Sequence, residues 1–552
     1  MSNKISALQK ARLEYKVKLP PSLEKGANVS VIDGDVTESV NDQKKVEKLF
    51  PNTYGMPILS FGKKDTTTKH SPINVGVVLS GGQAPGGHNV IAGLFDGLKS
   101  INSKNKLFGF LGGPGGLIDN KYIEITADYL YDFRNTGGFD IIGSGRTKLE
   151  AKAQFDSSAE NCRKLDISAI VIIGGDDSNT NACLLAEYYC ANNIPIQVIG
   201  CPKTIDGDLK NDQIETSFGF DTACKVYSEM VGNLQRDAKS AKKYWHFVKL
   251  MGRSASHITL ECGLQTHPNI TIIGEEIASK NTTLTEIIDS IAEVITKRAE
   301  KGMNYGIVLV PEGLIEFIPE MRTLIDELNE LMATKHEAFE SFSNDLDKID
   351  FITRKLSATS AKIYLTLPTV IRKQLIMDRD PHGNVQVSRI ETEKLLIEML
   401  DTRLTAWKAE GLFAGNFSPL NHFFGYEGRC AAPSNFDADY CYSLGYTASA
   451  LIGAKKTGYM AIVKNLTKPA KEWQAGGVPV TMMMNIERRH GEDKPVIKKA
   501  LTELDGAPYL ELVKNRHSWG IKNDYQYPGP IQYFGPTKVC NQITKTLELE
   551  QK

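Results

Sequence analysis

The sequence predicts an α/β fold built on parallel sheets, in a chain long enough for more than one domain. Short apolar runs are each followed by glycines and polar residues, which is typical of a buried strand that leads through a loop into a helix. Such runs include 73–79, 167–173 and 195–200. With 552 residues, 41% of them hydrophobic, the chain exceeds the size at which a single core stops growing. We therefore expect two or more domains.

Composition excludes several classes of protein. Lys and Arg (65) nearly balance Asp and Glu (66), so no global charge favours nucleic acid or an anionic membrane as a partner. No apolar run approaches the roughly 20 residues that cross a bilayer. The nine cysteines show no CxxC pair or zinc-type spacing, and no signal peptide is apparent. These features predict a soluble, cytoplasmic protein with free thiols.

Changes in composition suggest the domain boundaries. The first 70 residues mix charge runs with few apolar stretches, and we interpret them as an N-terminal extension. A long, charged, amphipathic segment without glycine loops is interpreted as a helical insertion. The expected order is an extension at 1–70, a first domain at 71–240, a second domain at 241–507 with its insertion at about 316–405, and a C-terminal segment at 508–552.

Two series of strands and helices can be traced. In the first, a strand at 167–173 is followed by the loop GGDDS, a helix at 179–191 and a second strand that ends at CPKTIDGD. Both loops then lie at the carboxyl ends of parallel strands, which is the edge where open sheets bind ligands. The second series runs from 247 to 310, and Thr283 with Glu286 predicts a capping box at the start of one of its helices.

Glycines follow the first predicted strand in VVLSGGQAPGGHNV. Because Gly81 and Gly82 lack Cβ atoms, their N–H groups can approach phosphate oxygens closely, and the helix that follows adds its dipole. A tight strand-to-helix turn without a ligand is an equal alternative. In IIGSGRTK, the guanidinium of Arg146 also suits a polyphosphate, although a surface salt bridge is the more common role of such a residue.

Two adjacent carboxylates, Asp176 and Asp177, come directly after a buried strand. They repel each other unless a cation lies between them, and Mg²⁺ prefers one or two carboxylates together with substrate phosphates. The alternative is that one of them only caps the helix that begins near Ser178.

The loop CPKTIDGDLKND combines Lys203, Thr204, Asp206 and Asp208. Phosphoryl transfer to an alcohol needs a carboxylate for the proton, donors to the transferred group and a cation. This loop holds all three, although a solvated Asp-Gly turn remains the alternative.

Further arginines and polar residues follow the later strands. The motifs MGR, PEG and GYEGR contribute residues that together could bind a sugar phosphate, with Arg on phosphate and Glu on hydroxyls. These residues are Met251, Gly252, Arg253, Glu312, Tyr426 and Arg429.

Taken in order, GGxAPG, GSGR, GGDDS, PKTIDGD, MGR, PEG and GYEGR resemble the phosphofructokinase family, and most of all its long pyrophosphate-dependent members. The resemblance covers about 71–315 and 411–500. It implies two Rossmann-like parallel-sheet domains that face each other across a cleft, the donor domain first and the fructose 6-phosphate domain second. It also implies Mg²⁺-dependent, reversible transfer from pyrophosphate to fructose 6-phosphate.

The resemblance assigns roles to individual residues. Asp206 would be the general base, Asp176 would hold Mg²⁺, and Arg253 would also stabilise the transferring group. The expected catalytic set is Asp206, Arg253, Lys203, Asp177 and Thr204. The expected donor-binding set is Gly81, Gly82, Arg146, Gly175, Asp177 and Lys203. The expected sugar-binding set is Thr204, Asp206, Asp208, Lys243, Tyr244, Met251, Gly252, Arg253, Glu312, Tyr426 and Arg429.

Tyr244, preceded by Lys243, occupies the place where many family members have an Arg that reaches a neighbouring subunit's site. From Lys243 and Tyr244 we expect a homodimer whose active site is shared between subunits.

Two residues bear on the choice of donor. ATP-using relatives have GGDGS and PGTIDND where this chain has Asp177 and Lys203. A carboxylate at 177 opposes the inner phosphate of a nucleotide, and Lys203 offers a cation to pyrophosphate. The rival interpretations are an ATP-dependent phosphofructokinase, a non-catalytic regulatory subunit, and a lipid or dinucleotide kinase with a GGD loop. The last does not need the MGR, PEG and GYEGR motifs.

Overall fold

The structure is a computed structural model that describes residues 5–64, 70–377, 385–489 and 492–552. The predicted extension and insertion each include a few residues outside these ranges. The chain forms two compact units. The first comprises Met1–Val226, Tyr426–Ala500 and Ile531–Gln551, and the second comprises Tyr227–Gly425 and Leu501–Pro530. Among the helices of the described residues, none is both long and apolar enough to cross a bilayer.

The strands of the described residues alternate with helices along most of the chain. They are β1 (Ser30–Val36), β2 (Pro57–Gly62), β3 (Asn74–Leu79), β4 (Lys106–Phe110), β5 (Tyr122–Ile125), β6 (Ile167–Gly174), β7 (Gln197–Pro202), β8 (Tyr244–Leu250), β9 (Ile270–Thr271), β10 (Tyr305–Pro311), β11 (Pro419–Phe424), β12 (Tyr459–Lys464), β13 (Gln474–Pro479), β14 (Met484–Arg489) and β15 (Glu492–Ile497).

The α-helices of the described residues include several short ones. They are α1 (Ala7–Leu13), α2 (Gln43–Leu49), α3 (Gly87–Ile101), α4 (Pro114–Ile118), α5 (Ala127–Tyr131), α6 (Lys152–Lys164), α7 (Asp176–Ala191), α8 (Phe220–Ala241), α9 (His257–Thr266), α10 (Gly274–Ser279), α11 (Leu284–Ala299), α12 (Leu314–Phe317), α13 (Pro319–Glu340), α14 (Asp345–Lys355), α15 (Ala358–Thr366), α16 (Thr369–Met377), α17 (Thr392–Ala409), α18 (Tyr426–Arg429), α19 (Asn435–Gly453), α20 (Ala507–Ile521), α21 (Thr537–Cys540) and α22 (Lys545–Glu550).

The first unit is organised around a nine-stranded sheet with the order β1-β2-β13-β12-β7-β6-β3-β4-β5. Its centre, from β12 to β4, is parallel, and the central strands are almost completely buried. The chain passes from β3 to β4 on one side and returns to β6 on the other. The carboxyl ends of β3 and β6 therefore flank a topological switch point, where ligands bind in open α/β sheets.

The predicted α/β class is confirmed, and the apolar runs predicted as strands form β3, β6 and β7. These runs are continuous because a strand buried on both faces has no solvent side on which to alternate.

The N-terminal segment is part of the first unit's sheet. Strand β2 pairs with β1 and with β13, and the buried guanidinium of Arg12 donates to Asn435 Oδ1 at 2.6 Å and to the Pro433 carbonyl at 2.8 Å. The sequence suggested only an extension, because β1 is mostly exposed and lacks the apolar pattern of a core strand. The segment covers the sheet edge that β13 would otherwise expose.

The segment 426–500, which we placed in the second domain, belongs to the first unit. Strand β12 pairs in parallel with β7, and the buried helix α19 packs against α3. The close approach of these helices requires small residues: a Cβ on Gly93 would lie 2.0 Å from the Tyr442 carbonyl, and one on Gly445 would lie 1.9 Å from that of Val90. Sequence order alone misplaced the segment because the chain returns to its first sheet.

The second unit contains an all-parallel sheet with the order β11-β8-β10-β9. Helix α11 begins with the predicted capping box, in which Thr283 and Glu286 exchange hydrogen bonds of 2.8 and 3.3 Å. Its apolar stripe joins a core that continues into α13–α17, which occupy most of the segment predicted as a helical insertion.

A pair of histidines lies inside the second sheet. His246 Nδ1 on β8 is 2.9 Å from His422 Nε2 on β11, and His246 is only 2% exposed. Burial, reinforced by His422, lowers the pKa of His246 to about 4, although Asp237 acts in the opposite direction. Burial also lowers the pKa of His422. Both rings are therefore neutral in the folded protein at pH 7.

This pair predicts acid sensitivity. The unfolded chain protonates His246 near pH 6.5 and the folded chain near pH 4, so its contribution to stability is complete above pH 6.5 and declines as pH falls toward 4. We expect a loss of about 2 kcal/mol from this residue between pH 7.5 and 5. His246→Gln should flatten the decline measured by urea unfolding, whereas the exposed-site control His517→Gln should leave it unchanged. An equally steep decline in His246→Gln would contradict the assignment.

Candidate active site

A glycine turn after β3 forms one side of the site in the first unit. Gly81 has φ +82°, a conformation that glycine adopts without strain, and its N–H donates to the Gly145 carbonyl at 2.9 Å. Gly86 then precedes helix α3, also with a positive φ. The backbone of this turn therefore lies beside the switch point without Cβ atoms in the way. The predicted binding of the donor by Gly81 and Gly82 needs such a turn.

Arg429 closes over this turn. Its Nε donates to the Gln83 carbonyl at 3.3 Å, and a Cβ on Gly82 would lie 1.5 Å from its Nη2. We predicted Arg429 as a sugar-binding residue of the second domain, but the structure places it in the first unit against the donor-side turn. Tyr426, one helical turn earlier, is 70% exposed, and the Arg429 guanidinium lies 5.6 Å from its ring centroid.

The two adjacent carboxylates open helix α7. The helix begins at Asp176, not at Asn179, so Asp176 and Asp177 both lie in its first turn, with Gly175 as the N-cap residue. Carboxylates are favoured there by the helix dipole, which explains the earlier start. Behind them, Ser178 Oγ donates to Ser80 Oγ at 2.8 Å and links the helix to the glycine turn.

Lys203 brings a buried cation to the same place. It is 6% exposed, its backbone N–H donates to the Gly174 carbonyl at 2.9 Å, and a Cβ on Gly81 would lie 3.6 Å from its Nζ. Burial and the positive charge of Arg429 outweigh Asp206, Asp176 and Asp208 and lower the pKa of Lys203 to about 8. An incoming phosphate would therefore further stabilise the charged ammonium.

The rest of this loop is held by its own turns. The Asp206 N–H donates to Thr204 Oγ1 at 3.0 Å, and Gly207 has φ +75°. Ser217 Oγ donates to the Thr204 carbonyl at 2.9 Å. Asp208 is 6% exposed. These bonds fix the backbone that carries the predicted base.

A cation that the sequence did not reveal also reaches this edge. Lys499 Nζ lies 3.5 Å from Asp176 Oδ2 and 3.8 Å from Asp208 Oδ2. Its local sequence, KPVIKKA, carries no signal of a site.

Arg146, by contrast, is exposed and forms no ion pair with a carboxylate in the described ranges. It lies next to Gly145, whose carbonyl accepts the Gly81 N–H.

In the second unit, three loops meet at the carboxyl edge of the sheet. The Met251 N–H donates to the Phe424 carbonyl at 3.0 Å, and the Glu312 N–H donates to the Leu250 carbonyl at 2.9 Å. The Gly252 N–H in turn donates to the buried carboxylate of Glu312 at 3.1 Å. The structure therefore brings Met251, Gly252 and Glu312 together, as predicted.

Arg253 follows directly and is exposed. A Cβ on Gly313 would lie 1.9 Å from the Arg253 carbonyl, so the glycine of PEG allows the MGR loop to pass close to it.

Lys243 and Tyr244 lie at the opposite end of the same strand. Tyr244 is the first of the seven residues of β8, which at about 3.3 Å per residue separates it by more than about 20 Å from Met251. Tyr244 has the uncommon φ of +75°, and Lys243 Nζ lies 4.9 Å from its ring centroid. Within one chain, these two residues do not join the MGR and PEG loops.

Comparison with known proteins identifies the family. The Phosphofructokinase family profile matches residues 74–350. Over 99% of both chains, the sequence is 60% identical to the pyrophosphate–fructose 6-phosphate 1-phosphotransferase of Porphyromonas gingivalis. The enzyme of the same name from Entamoeba histolytica is 52% identical over 99% of this chain and 100% of its own. The chain belongs to the phosphofructokinase family, as its ordered motifs suggested.

Three further proteins are similar to this chain in sequence or in fold. A plant relative from Arabidopsis thaliana, described as subunit beta 2, is 52% identical over 99% of this chain and 94% of its own. One described as subunit alpha 2 is 39% identical over 99% and 89%. The crystal structure of a pyrophosphate-dependent phosphofructokinase from Marinobacter aquaeolei has a TM-score of 0.54 at 16% identity and covers 86% of this chain and 97% of its own. That similarity supports the fold.

Proposed function

We propose that this protein is an enzyme that reversibly transfers a phosphoryl group from pyrophosphate to the 1-hydroxyl of fructose 6-phosphate. The products are fructose 1,6-bisphosphate and phosphate, so the enzyme acts in glycolysis and gluconeogenesis. The observation that carries the proposal is the buried ammonium of Lys203 against the Gly81 turn, in the same loop as Asp206. A compact, anionic donor fits a site in which the cations of Lys203 and Arg429 lie beside a glycine turn without Cβ atoms.

Asp206 is the general base in this proposal. Its carboxylate takes the proton of the sugar 1-hydroxyl as the oxygen attacks the donor phosphorus, and Thr204 and Asp208 fix the loop around it. Lys203, Gly81, Gly82, Gly175 and Arg146 bind the donor, and Asp177 excludes the inner phosphate of a nucleotide. Most of the catalysis then comes from positioning and charge stabilisation, as in other phosphoryl transfers.

Mg²⁺ fits the carboxylates at this edge. Among the described residues no group of three or more His, Cys, Asp and Glu is placed so that it could hold a metal ion by itself, but a Mg²⁺ shared with substrate phosphates needs only one or two carboxylates. Asp176, at the start of α7, would hold it. When bound, the ion would neutralise charge on the phosphate oxygens.

In the second unit, the sugar phosphate is assigned to Met251, Gly252, Arg253 and Glu312. We also propose a homodimer, because Lys243 and Tyr244 are far along β8 from the MGR loop and can serve a sugar site only in a neighbouring subunit. A cytoplasmic location agrees with nine cysteines that are all free thiols.

The direct test is an assay of the purified protein with fructose 6-phosphate and Mg²⁺, with pyrophosphate and ATP offered separately. We expect turnover with pyrophosphate and a kcat/KM for ATP at least 100-fold lower. Preference for ATP would support the ATP-dependent alternative, and no turnover with either donor would support a regulatory subunit.

Replacement of Arg253 by lysine tests its assigned role. A planar, fixed guanidinium can make paired hydrogen bonds to the transferring group that a lysine cannot. We expect Arg253→Lys to lower kcat by roughly 10²-fold with a small change in the KM for fructose 6-phosphate. Arg322→Lys, on the exposed face of α13, is the matched control. A rise in the sugar KM alone would make Arg253 a ground-state binding residue.

A further inference from the structure

The edge where β6 and β7 end holds an excess of carboxylates. Asp176 and Asp177 open helix α7 directly after β6, Asp206 and Asp208 lie in the loop after β7, and Lys203 is a buried cation among them. An anionic donor entering this edge is repelled unless further positive charge offsets the carboxylates.

Lys499 supplies that charge from a distant part of the sequence. Its Nζ lies between the two loops, 3.5 Å from Asp176 Oδ2 and 3.8 Å from Asp208 Oδ2. Both distances exceed the 2.7–2.9 Å of a charge-assisted hydrogen bond. Neither carboxylate is therefore within a short charge-assisted hydrogen bond of the ammonium, and a phosphate oxygen is an anionic partner of the same kind. Its side chain is 31% exposed, so a ligand can reach it.

The backbone around Lys499 is fixed on both sides. The Ile497 N–H donates to Thr180 Oγ1 on α7 at 3.3 Å, and the Lys498 N–H donates to the Met483 carbonyl at 2.9 Å. The Ala500 N–H donates to the Asp208 carbonyl at 2.8 Å. The segment that follows β15 is thus attached both to the helix that carries Asp176 and to the loop that carries Asp208, which places residue 499 at their junction.

The next residue along the chain provides a contrast. Lys498 is exposed, whereas Lys499 lies beside Asp176 and Asp208. The two adjacent lysines therefore share charge and length and differ in their surroundings.

We propose that Lys499, which lies between Asp176 and Asp208, is a pyrophosphate-binding residue whose ammonium contacts a phosphate oxygen when the donor is bound. The proposal rests on the proposed function, because it assumes that the anion at this edge is pyrophosphate. It adds a cation from the C-terminal part of the chain to the donor site. A purely structural ion pair is the alternative that the experiment must separate.

The experiment measures binding of methylenediphosphonate, a non-hydrolysable pyrophosphate analogue, by calorimetry with Mg²⁺ present and no sugar. Loss of one charge-assisted contact should raise the dissociation constant of Lys499→Met roughly 10- to 100-fold. Lys499→Arg should stay within about fivefold of the wild type, and Lys498→Met should match it. Binding of fructose 6-phosphate and the thermal midpoint should be unchanged in all three variants. Lys499→Gln serves as a second neutral variant if Lys499→Met does not fold.

Unchanged analogue binding in Lys499→Met overturns the proposal, as does an equal loss in Lys498→Met. A parallel fall in thermal midpoint and in fructose 6-phosphate binding also overturns it, because that pattern belongs to a structural ion pair. If the wild-type protein does not bind the analogue but binds a non-hydrolysable ATP analogue, the donor assigned under the proposed function fails, independently of how the Lys499 variants compare with one another.

Discussion

Asp206→Asn should lower kcat by roughly 10² to 10⁴ while the dissociation constant for fructose 6-phosphate stays within a few-fold of the wild type. The amide keeps the size and much of the hydrogen bonding of the carboxylate but cannot accept the hydroxyl proton. The N–H of residue 206 would still donate to Thr204 Oγ1, so the loop should keep its shape. Steady-state kinetics in both directions and calorimetric binding of the sugar provide the measurement.

Asp212→Asn is the matched control for this variant. Asp212 lies in the same loop but is exposed, so its replacement removes one negative charge from the region without touching the proposed base. Its kcat should stay within about twofold of the wild type. Equal losses in both variants would point to a general electrostatic effect and remove Asp206 from the role of base.

The parts of the fold that the sequence predicted are those with local signals. Strands β3, β6 and β7 are buried on both faces and therefore read as continuous apolar runs. The loops after them carry glycines and carboxylates because they lie at the ligand edge of the sheet. The capping box of α11 was predicted from two residues three positions apart, since its hydrogen bonds lie within one helical turn.

The parts of the fold that the sequence did not predict depend on contacts between segments that are far apart along the chain. The segment 426–500 was misplaced because nothing in its own pattern tells whether it extends the nearer sheet or returns to the earlier one. The glycines Gly445 and Gly453 of α19 do not by themselves indicate which helix packs against them. Only the contact of Gly445 with Val90 identifies α3 as the partner. Strand β2 was missed for a similar reason, because it joins the sheet through β13.

The candidate site shows the same division between local sequence signals and contacts of distant segments. The loops that hold Asp176 and Asp206 were predicted from adjacent residues, whereas the position of Arg429 over Gly82 and that of Lys499 between two carboxylates follow from how the chain folds back. The motif GYEGR marked Arg429 as a candidate but not its contact with Gly82, and the sequence around Lys499 carries no signal of a site.

Asp177→Gly should shift donor preference toward ATP by roughly two orders of magnitude or more in the ratio of kcat/KM values. Asp177 lies in the first turn of α7, at a helix N-terminus that would otherwise attract a phosphate through its N–H groups and dipole. Its carboxylate occupies that place with negative charge. A like charge at a recognition site costs several kcal/mol, and glycine removes both the charge and the bulk.

Asp177→Asn separates these two effects, because the amide keeps the side-chain volume and removes the charge. If electrostatic repulsion is the main obstacle to ATP binding, Asp177→Asn should produce most of the shift in donor preference. If the obstacle is steric, only Asp177→Gly should produce it. Adding Lys203→Gly to Asp177→Gly should lower use of pyrophosphate further, since it removes the buried cation near Gly81. The thermal midpoint must be measured in parallel, because glycine in a helix costs up to about 1 kcal/mol.

The comparison requires kcat/KM for both donors in each variant, at saturating fructose 6-phosphate and fixed free Mg²⁺. A wild type that already prefers ATP would contradict the role assigned to Asp177. So would an Asp177→Gly variant that keeps the wild-type preference while it remains folded and binds the sugar normally. A variant that loses pyrophosphate turnover and gains turnover with ATP would show that the carboxylate excludes the nucleotide, because no new contact to ATP is introduced by the substitution.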